Sequence, residues 1–257
     1  MLAVACLMVL ANESSVAKDQ AKPQTMRFEW RMEGPAEQCG QRCRTWISAT
    51  GVISEGTVRE FEAFAKSFDL RRATLVLDSE GGSVLAALAI GRAIRSFGMT
   101  TTVGKTTMLP TLDGNAQRAT LRPKADCESM CAFMLLGGVR RYVPPEARVL
   151  VHQIWLGGKS RRALESSYSA DEFRLVQRDI GSLARYTIDM GADIQLIETA
   201  LRVPPWEPLY ELSADELRDM RVTTVDHLFD PDLPTASVPV AAPSSSSTSG
   251  QTLRGRD

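Results

Sequence analysis

Three short stretches carry residue types that can do chemistry together. CESMCAF, residues 127–133, places Ser129 between two cysteines at the start of an apolar run. VLVHQIW, residues 149–155, ends a β-branched segment on His152. DSEGGSV, residues 78–84, breaks an apolar run on Gly81 and Gly82. A serine becomes a nucleophile only when a base takes its proton, and histidine is the usual base. The only other histidine, His227 in VTTVDHLF, lies close to a polar tail, which leaves His152 as the candidate base. Two glycines after a buried strand turn the backbone sharply and free N–H groups for a developing oxyanion. The N–H of Met130, one residue past Ser129, is a further candidate donor. Each piece also has an ordinary reading. A serine opening a helix is commonly an N-cap, a lone buried histidine commonly a satisfied core residue, and Gly-Gly commonly only a turn.

The elements that must position these residues are legible as an alternation. TWISATGVI, residues 45–53, alternates like a strand. TVREFEAFAKSF follows with Val58, Phe61, Phe64 and Phe68 at helical spacing. ATLVLDS, residues 73–79, is the near-continuous apolar run of a strand buried on both faces. VLAALAIGRAIRSFG is an apolar-striped helix that closes at Gly98. MTTTVGK and RVLVHQIW read as strands, and TTMLPTLDGNAQRATLRP, residues 106–123, reads as loop. SADEFRLVQRDIGSLARYTIDMG is a long amphipathic helix with Ser169 or Asp171 as cap and Gly191 as stop. Its apolar set is Phe173, Val176, Ile180, Leu183 and Ile188. Near the end, Ser213 and Glu216 form a capping box. Strand–helix alternation points to an α/β fold with a mainly parallel sheet, and no internal repeat is visible.

With 257 residues and 44% apolar composition the chain can build one large domain. Thirty Lys and Arg against 31 Asp and Glu leave no basic field for nucleic acid. No apolar run is long enough to span a membrane. The first eleven residues, MLAVACLMVLA, resemble the h-region of a secretory signal without its charged flank, so Met1 is expected not to be the true start. Residues 1–26 then form a signal-like segment and polar leader, 27–230 the folded domain, and 231–257 a disordered Pro/Ser-rich tail. Cys39, Cys43, Cys127 and Cys131 remain for that domain. Three intervening residues in both pairs favour two disulfides over a zinc site, with the pairing left open. No metal and no cofactor are implied. Export and disulfides together point to a periplasmic or secreted protein.

Taken in order, DSEGGSV, CESMCAFMLLGG with VRRYVPPEARVLVHQ, and YELSADEL with RDMRVTTVDHL resemble the proteolytic subunit of Clp protease. That family is a serine peptidase group within the crotonase-like superfamily, and the likeness covers roughly residues 45–228. The resemblance implies a spiral of repeated β-β-α units. It also implies Ser129 as nucleophile, His152 as general base, and Gly81 and Met130 as oxyanion donors. Its implied partners are peptide or unfolded protein substrates and other copies of the chain in a ring built through the long helix. The cysteines and signal fit a periplasmic-type branch.

Departures from the family pattern are specific. Glu80 stands where the family has proline before Gly-Gly, and Cys131 stands where a small residue is usual. The aspartate that completes the triad falls, without gaps, on Leu209; Glu207 and Glu211 are the flanking carboxylates, and Glu207 is the candidate third member. The expected function is peptide hydrolysis by a Ser129–His152 dyad. The alternatives are a non-catalytic exported scaffold that keeps the fold and, behind it, a crotonase-type acyl-CoA enzyme.

Overall fold

A computed structural model describes residues 24–110, 118–156 and 167–229. The signal-like segment and the Pro/Ser-rich tail lie outside the described residues. In chain order the elements are β1 (Arg27–Glu33), α1 (Ala36–Cys39), a 3₁₀ turn (Gly40–Arg42), β2 (Thr45–Thr50), α2 (Glu55–Ser67), β3 (Thr74–Asp78) and α3 (Val84–Ser96). They continue as β4 (Thr100–Val103), β5 (Lys105–Met108), β6 (Arg118–Arg122), β7 (Asp126–Glu128), α4 (Met130–Leu135), β8 (Arg140–Tyr142) and β9 (Arg148–Val151). The last are α5 (Ala170–Asp189), α6 (Gln195–Leu201), β10 (Tyr210–Glu211) and α7 (Ala214–Asp219).

The fold is α/β with a mixed, mostly parallel sheet. Its seven strands run β5-β6-β1-β2-β3-β4-β8, and β2, β3, β4 and β8 are parallel in succession. β1 is antiparallel to β2, and β5 is antiparallel to β6. The 106–123 segment expected as loop therefore contributes two strands. Lys-Thr-Thr-Met forms the exposed edge strand, and Arg-Ala-Thr-Leu-Arg beside it buries only Ala119 fully, so neither has the apolar run of a central strand. β1 was hidden for a related reason. Its RFEWRME pattern buries only Phe28 and Trp30, one face of a half-covered strand.

The helices begin where side chains can satisfy free amides. Ser83 accepts from Ala86 N–H to start α3, and Ser169–Glu172 and Ser213–Glu216 form capping boxes on α5 and α7. α2 lays Phe61, Phe64 and Phe68 against Phe28 and Trp30. α3, α4 and α5 pack closely through Gly91, where an added Cβ would stand 1.9 Å from the Tyr186 hydroxyl oxygen. That hydroxyl donates to Phe133 O at 3.0 Å, tying α5 to α4. Of the α5 stripe only Leu183 is buried, while Phe173 and Ile188 are exposed. Among the described residues no helix is long and apolar enough to cross a membrane.

Candidate active site

A second, three-stranded sheet, β10-β9-β7, carries the candidate residues. β7 and β9 are parallel, with Glu128 opposite Leu150. Ser129 is the first residue past β7 and His152 the first past β9. Ser129 N–H donates to Leu150 O at 2.7 Å, fixing the start of the turn. Arg148 grips Asp126 with two hydrogen bonds, Nε–Oδ1 at 2.8 Å and Nη2–Oδ2 at 2.6 Å, across a directly paired position. That pair, which holds the Asp126 carboxyl below its ordinary range, zips together the two strands that deliver Ser129 and His152.

Ser129 adopts φ 52° and ψ −119°. For a non-glycine residue this is a sparsely populated conformation, costing on the order of 1–3 kcal/mol. Its hydroxyl makes no capping hydrogen bond to α4, although Ala132 N–H returns to Ser129 O at 3.1 Å to close the first turn. Strand, strained serine, helix is the geometry of a nucleophile elbow, in which the turn holds the hydroxyl clear of the backbone.

The Gly-Gly turn reaches this elbow because Ser79 joins the two sheets. Ser79 N–H donates to Asp126 O at 3.1 Å, and Glu128 N–H donates to Ser79 O at 2.9 Å. Ser79 Oγ donates to Gly51 O at 2.6 Å and accepts from Gly81 N–H at 3.1 Å. Gly81 and Gly82 have φ of 83° and 138°, conformations that glycine alone adopts freely. The Gly81 N–H is thus engaged by Ser79. Met130 is the first helical residue, so its N–H has no partner within α4, and among the described residues no other acceptor takes it. Gly82 N–H is likewise open among the described residues. Of the two glycine N–H groups that the sequence offers, the open one is therefore Gly82's and not that of Gly81, which the family resemblance names.

His152 is half-buried, and burial pulls its pKa below the ordinary histidine value, partly offset by the Gln153 backbone. Among the described residues Ser129 Oγ and His152 share no hydrogen bond, and neither do His152 and Glu207. Glu207 is exposed, beside Trp206, whose ring meets Trp155 edge-on at 6.3 Å. β10 is antiparallel to β9, with Tyr210 opposite Val151. The pairing stops there: Leu209 lies just before β10, His152 just past β9, and the next amide, Gln153 N–H, donates to Val203 O at 3.0 Å. Leu209, the position where the family pattern expects its aspartate, is half-buried and has no carboxylate to offer an imidazole.

Beside the elbow lies a cleft of ≈ 320 Å³ lined by Asp78, Glu80, Asp126 and Glu128, among others. Ser129 and His152 lie outside its lining, next in sequence to Glu128 and one past β9. Burial, then repulsion from Asp126 and Glu80, raises the Glu128 pKa. Burial chiefly raises that of Asp78. Among the described residues no group of three or more His, Cys, Asp or Glu is arranged to hold a metal.

The cysteines pair locally, Cys39 with Cys43 and Cys127 with Cys131. Two arginines unforeseen in the sequence hold the far end of α4. Arg95 donates to Leu136 O at 2.8 Å and Met190 O at 2.9 Å. Buried Arg141 donates to Arg221 O at 2.6 Å, Gly138 O at 3.1 Å and Met190 O at 3.2 Å, and desolvation draws its pKa down to about 10. Their cations meet the carbonyl ends of α4 and α5, where the helix dipole favours positive charge. In the sequence Arg95 is only a basic residue in the last turn of α3, and Arg141 only one of two arginines after α4. No protein-family model matches the chain, and no curated protein matches it in sequence.

Proposed function

We propose that the protein is a serine hydrolase of the peptidase type, with Ser129 as nucleophile and His152 as general base. One observation carries the reading: Ser129 occupies a strained strand-to-helix turn with its hydroxyl uncapped, beside the strand that His152 directly follows. A helix cap gains nothing from that strain, whereas a nucleophile needs its hydroxyl held in the open. In the acylation step His152 takes the Ser129 Oγ proton as Oγ bonds to the substrate carbonyl carbon. The carbonyl oxygen becomes an oxyanion facing the Met130 N–H. His152 then gives the proton to the departing amine as the C–N bond breaks. Water, deprotonated by His152, releases the acyl group and restores Ser129. The Ser129–His152 bond forms only with substrate present, as catalytic hydrogen bonds commonly tighten in the complex. Gly81 joins the oxyanion donors if Ser79 Oγ releases its N–H. Among the described residues no carboxylate is hydrogen-bonded to His152, so the proposed machinery is a dyad, slower than a complete triad.

The parallel order of β2, β3, β4 and β8, with helices between them, supports a Clp- or crotonase-like spiral. Two disulfides favour an oxidising compartment, periplasmic or secreted, with short or unfolded peptides as substrates. Exposed Phe173 and Ile188 on α5 support self-association through that helix.

A second reading, a non-catalytic exported scaffold, is favoured by Leu209 at the position where the resemblance expects an aspartate and by the Gly81 N–H held on Ser79. Kinetics on peptide and ester substrates separate the two. As a hydrolase, Ser129→Ala and His152→Ala each stay folded and lower turnover by ~10³-fold or more, with no further loss in the double variant. Turnover unchanged in Ser129→Ala contradicts the hydrolase reading.

A further inference from the structure

The Cys127–Cys131 bridge is centred on Ser129. Cys127 lies in β7 and Cys131 in the first turn of α4, both are fully buried, and Ser129 sits midway between them. A bridge with sequence separation 4 removes far less denatured-chain entropy than one closing a long loop. Its main effect is therefore local. It fixes the exit of a strand against the entry of a helix, and the residue between them is the one with φ 52°.

A residue in a sparsely populated conformation keeps it only while its surroundings over-determine it. The Ser129 N–H bond to Leu150 O holds the strand side of the turn. Gly81 presses from one flank, so closely that a Cβ added there would run into Met130 N and Ser129 Cβ. Among the described residues no side chain caps α4, so its start against β7 depends on the bridge and on packing. We infer that the Cys127–Cys131 disulfide is a positioning device for Ser129, and that the reactivity of the hydroxyl depends on the bridge being closed. The inference rests on the reading of Ser129 as nucleophile. Cys39–Cys43, which joins α1 to the residue after the 3₁₀ turn, has no such role and is removed so that one bridge alone is opened.

The test uses the full chain carrying Cys39→Ala and Cys43→Ala, oxidised and then treated with a dithiol. The dithiol gives two electrons and two protons to the bridge, cleaves the Sγ–Sγ bond to two thiols, and leaves as a cyclic disulfide. Cys127→Ala/Cys131→Ala supplies the same state without reductant. Two rates are measured: fluorophosphonate labelling of Ser129, and amide hydrogen exchange over 129–132 with α3 as reference. Opening the bridge is expected to slow labelling at least tenfold and to speed exchange at 129–132 at least tenfold, with α3 unchanged. Turnover falls in kcat with KM unchanged, and reoxidation restores it. Labelling and exchange both within twofold of the oxidised protein would overturn the inference. So would an equal rise in α3 exchange, which would make the bridge a general staple. If the oxidised protein is not labelled at all, the nucleophile reading fails by itself, and exchange at 129–132 alone decides the clasp.

Discussion

Gly81 lies directly against Ser129: a Cβ added to Gly81 would stand 2.9 Å from Ser129 Cβ, 2.8 Å from Met130 N and 2.5 Å from Glu128 O. Backbone atoms cannot yield as a flexible side chain does, and Gly81 also has φ 83°. Gly81→Ala is therefore expected to disrupt the elbow and lower turnover by ~10²-fold or more, the scale of losing an oxyanion donor. Gly98→Ala, a helix-end glycine with φ 64° and open space around it, is the comparison. It should cost about 1 kcal/mol of stability and leave kcat intact. Equal kinetics for the two variants would contradict the role of the Gly81 turn.

The acid limb of the rate should lie below pH 6.5. Burial lowers the His152 pKa from 6.5, so the imidazole remains a neutral base further into acid than an exposed histidine. For stability the sign is the same. The contribution of a depressed histidine is present above its unfolded pKa of 6.5 and is lost as pH falls through the lowered folded value. A log kcat/KM profile that breaks above pH 7 and is lost in His152→Ala would contradict this environment.

Charge in the acidic cleft works against an oxyanion. Glu128 has a raised pKa, so its contribution is favourable only below about pH 4.5 and is lost as pH rises through the folded value. Glu128→Gln is expected to raise the thermal midpoint at pH 7 by about 1–2 °C, a surface-scale effect, and the gain should vanish near pH 4. Glu80→Gln should raise kcat/KM for neutral substrates, and added salt should do the same for the parent protein. A fall in both experiments would show that the carboxylates assist the reaction.

Leu209 and Glu207 give opposite expectations. Glu207 is exposed and makes no hydrogen bond to His152, so Glu207→Gln should leave kcat/KM within twofold. Leu209 holds the position where the family pattern has its aspartate, so Leu209→Asp should raise turnover at least ~10-fold by supplying an orienting carboxylate. The reverse pattern, loss in Glu207→Gln and no gain in Leu209→Asp, would restore Glu207 as third member.

Much of this arrangement was legible because local signals agreed with the fold. The apolar run of β3, the capped stripe of α3 and the Ser213–Glu216 box each follow from a rule internal to one element. β5 and β6 were not legible, because an edge pair of Thr and Arg residues acquires its order only from its neighbours. Ser129 was visible as a residue type, but its positive φ was not. That conformation arises from Leu150, Gly81 and Cys127–Cys131 acting together, contacts distant in sequence except for the bridge. The commitment of Gly81 N–H to Ser79 was invisible for the same reason. The cysteine spacing signalled bridges without choosing the pairing, which the strand-to-helix turn decides.

The central claim concerns one oxygen atom, Ser129 Oγ. The most direct measurement is the intact mass and peptide map of the oxidised protein after reaction with a fluorophosphonate. The expected result is a single adduct, on the peptide containing Ser129, absent in Ser129→Ala and strongly reduced in His152→Ala. No adduct, or an adduct that persists in Ser129→Ala, would contradict the hydrolase reading and leave the elbow without a chemical use.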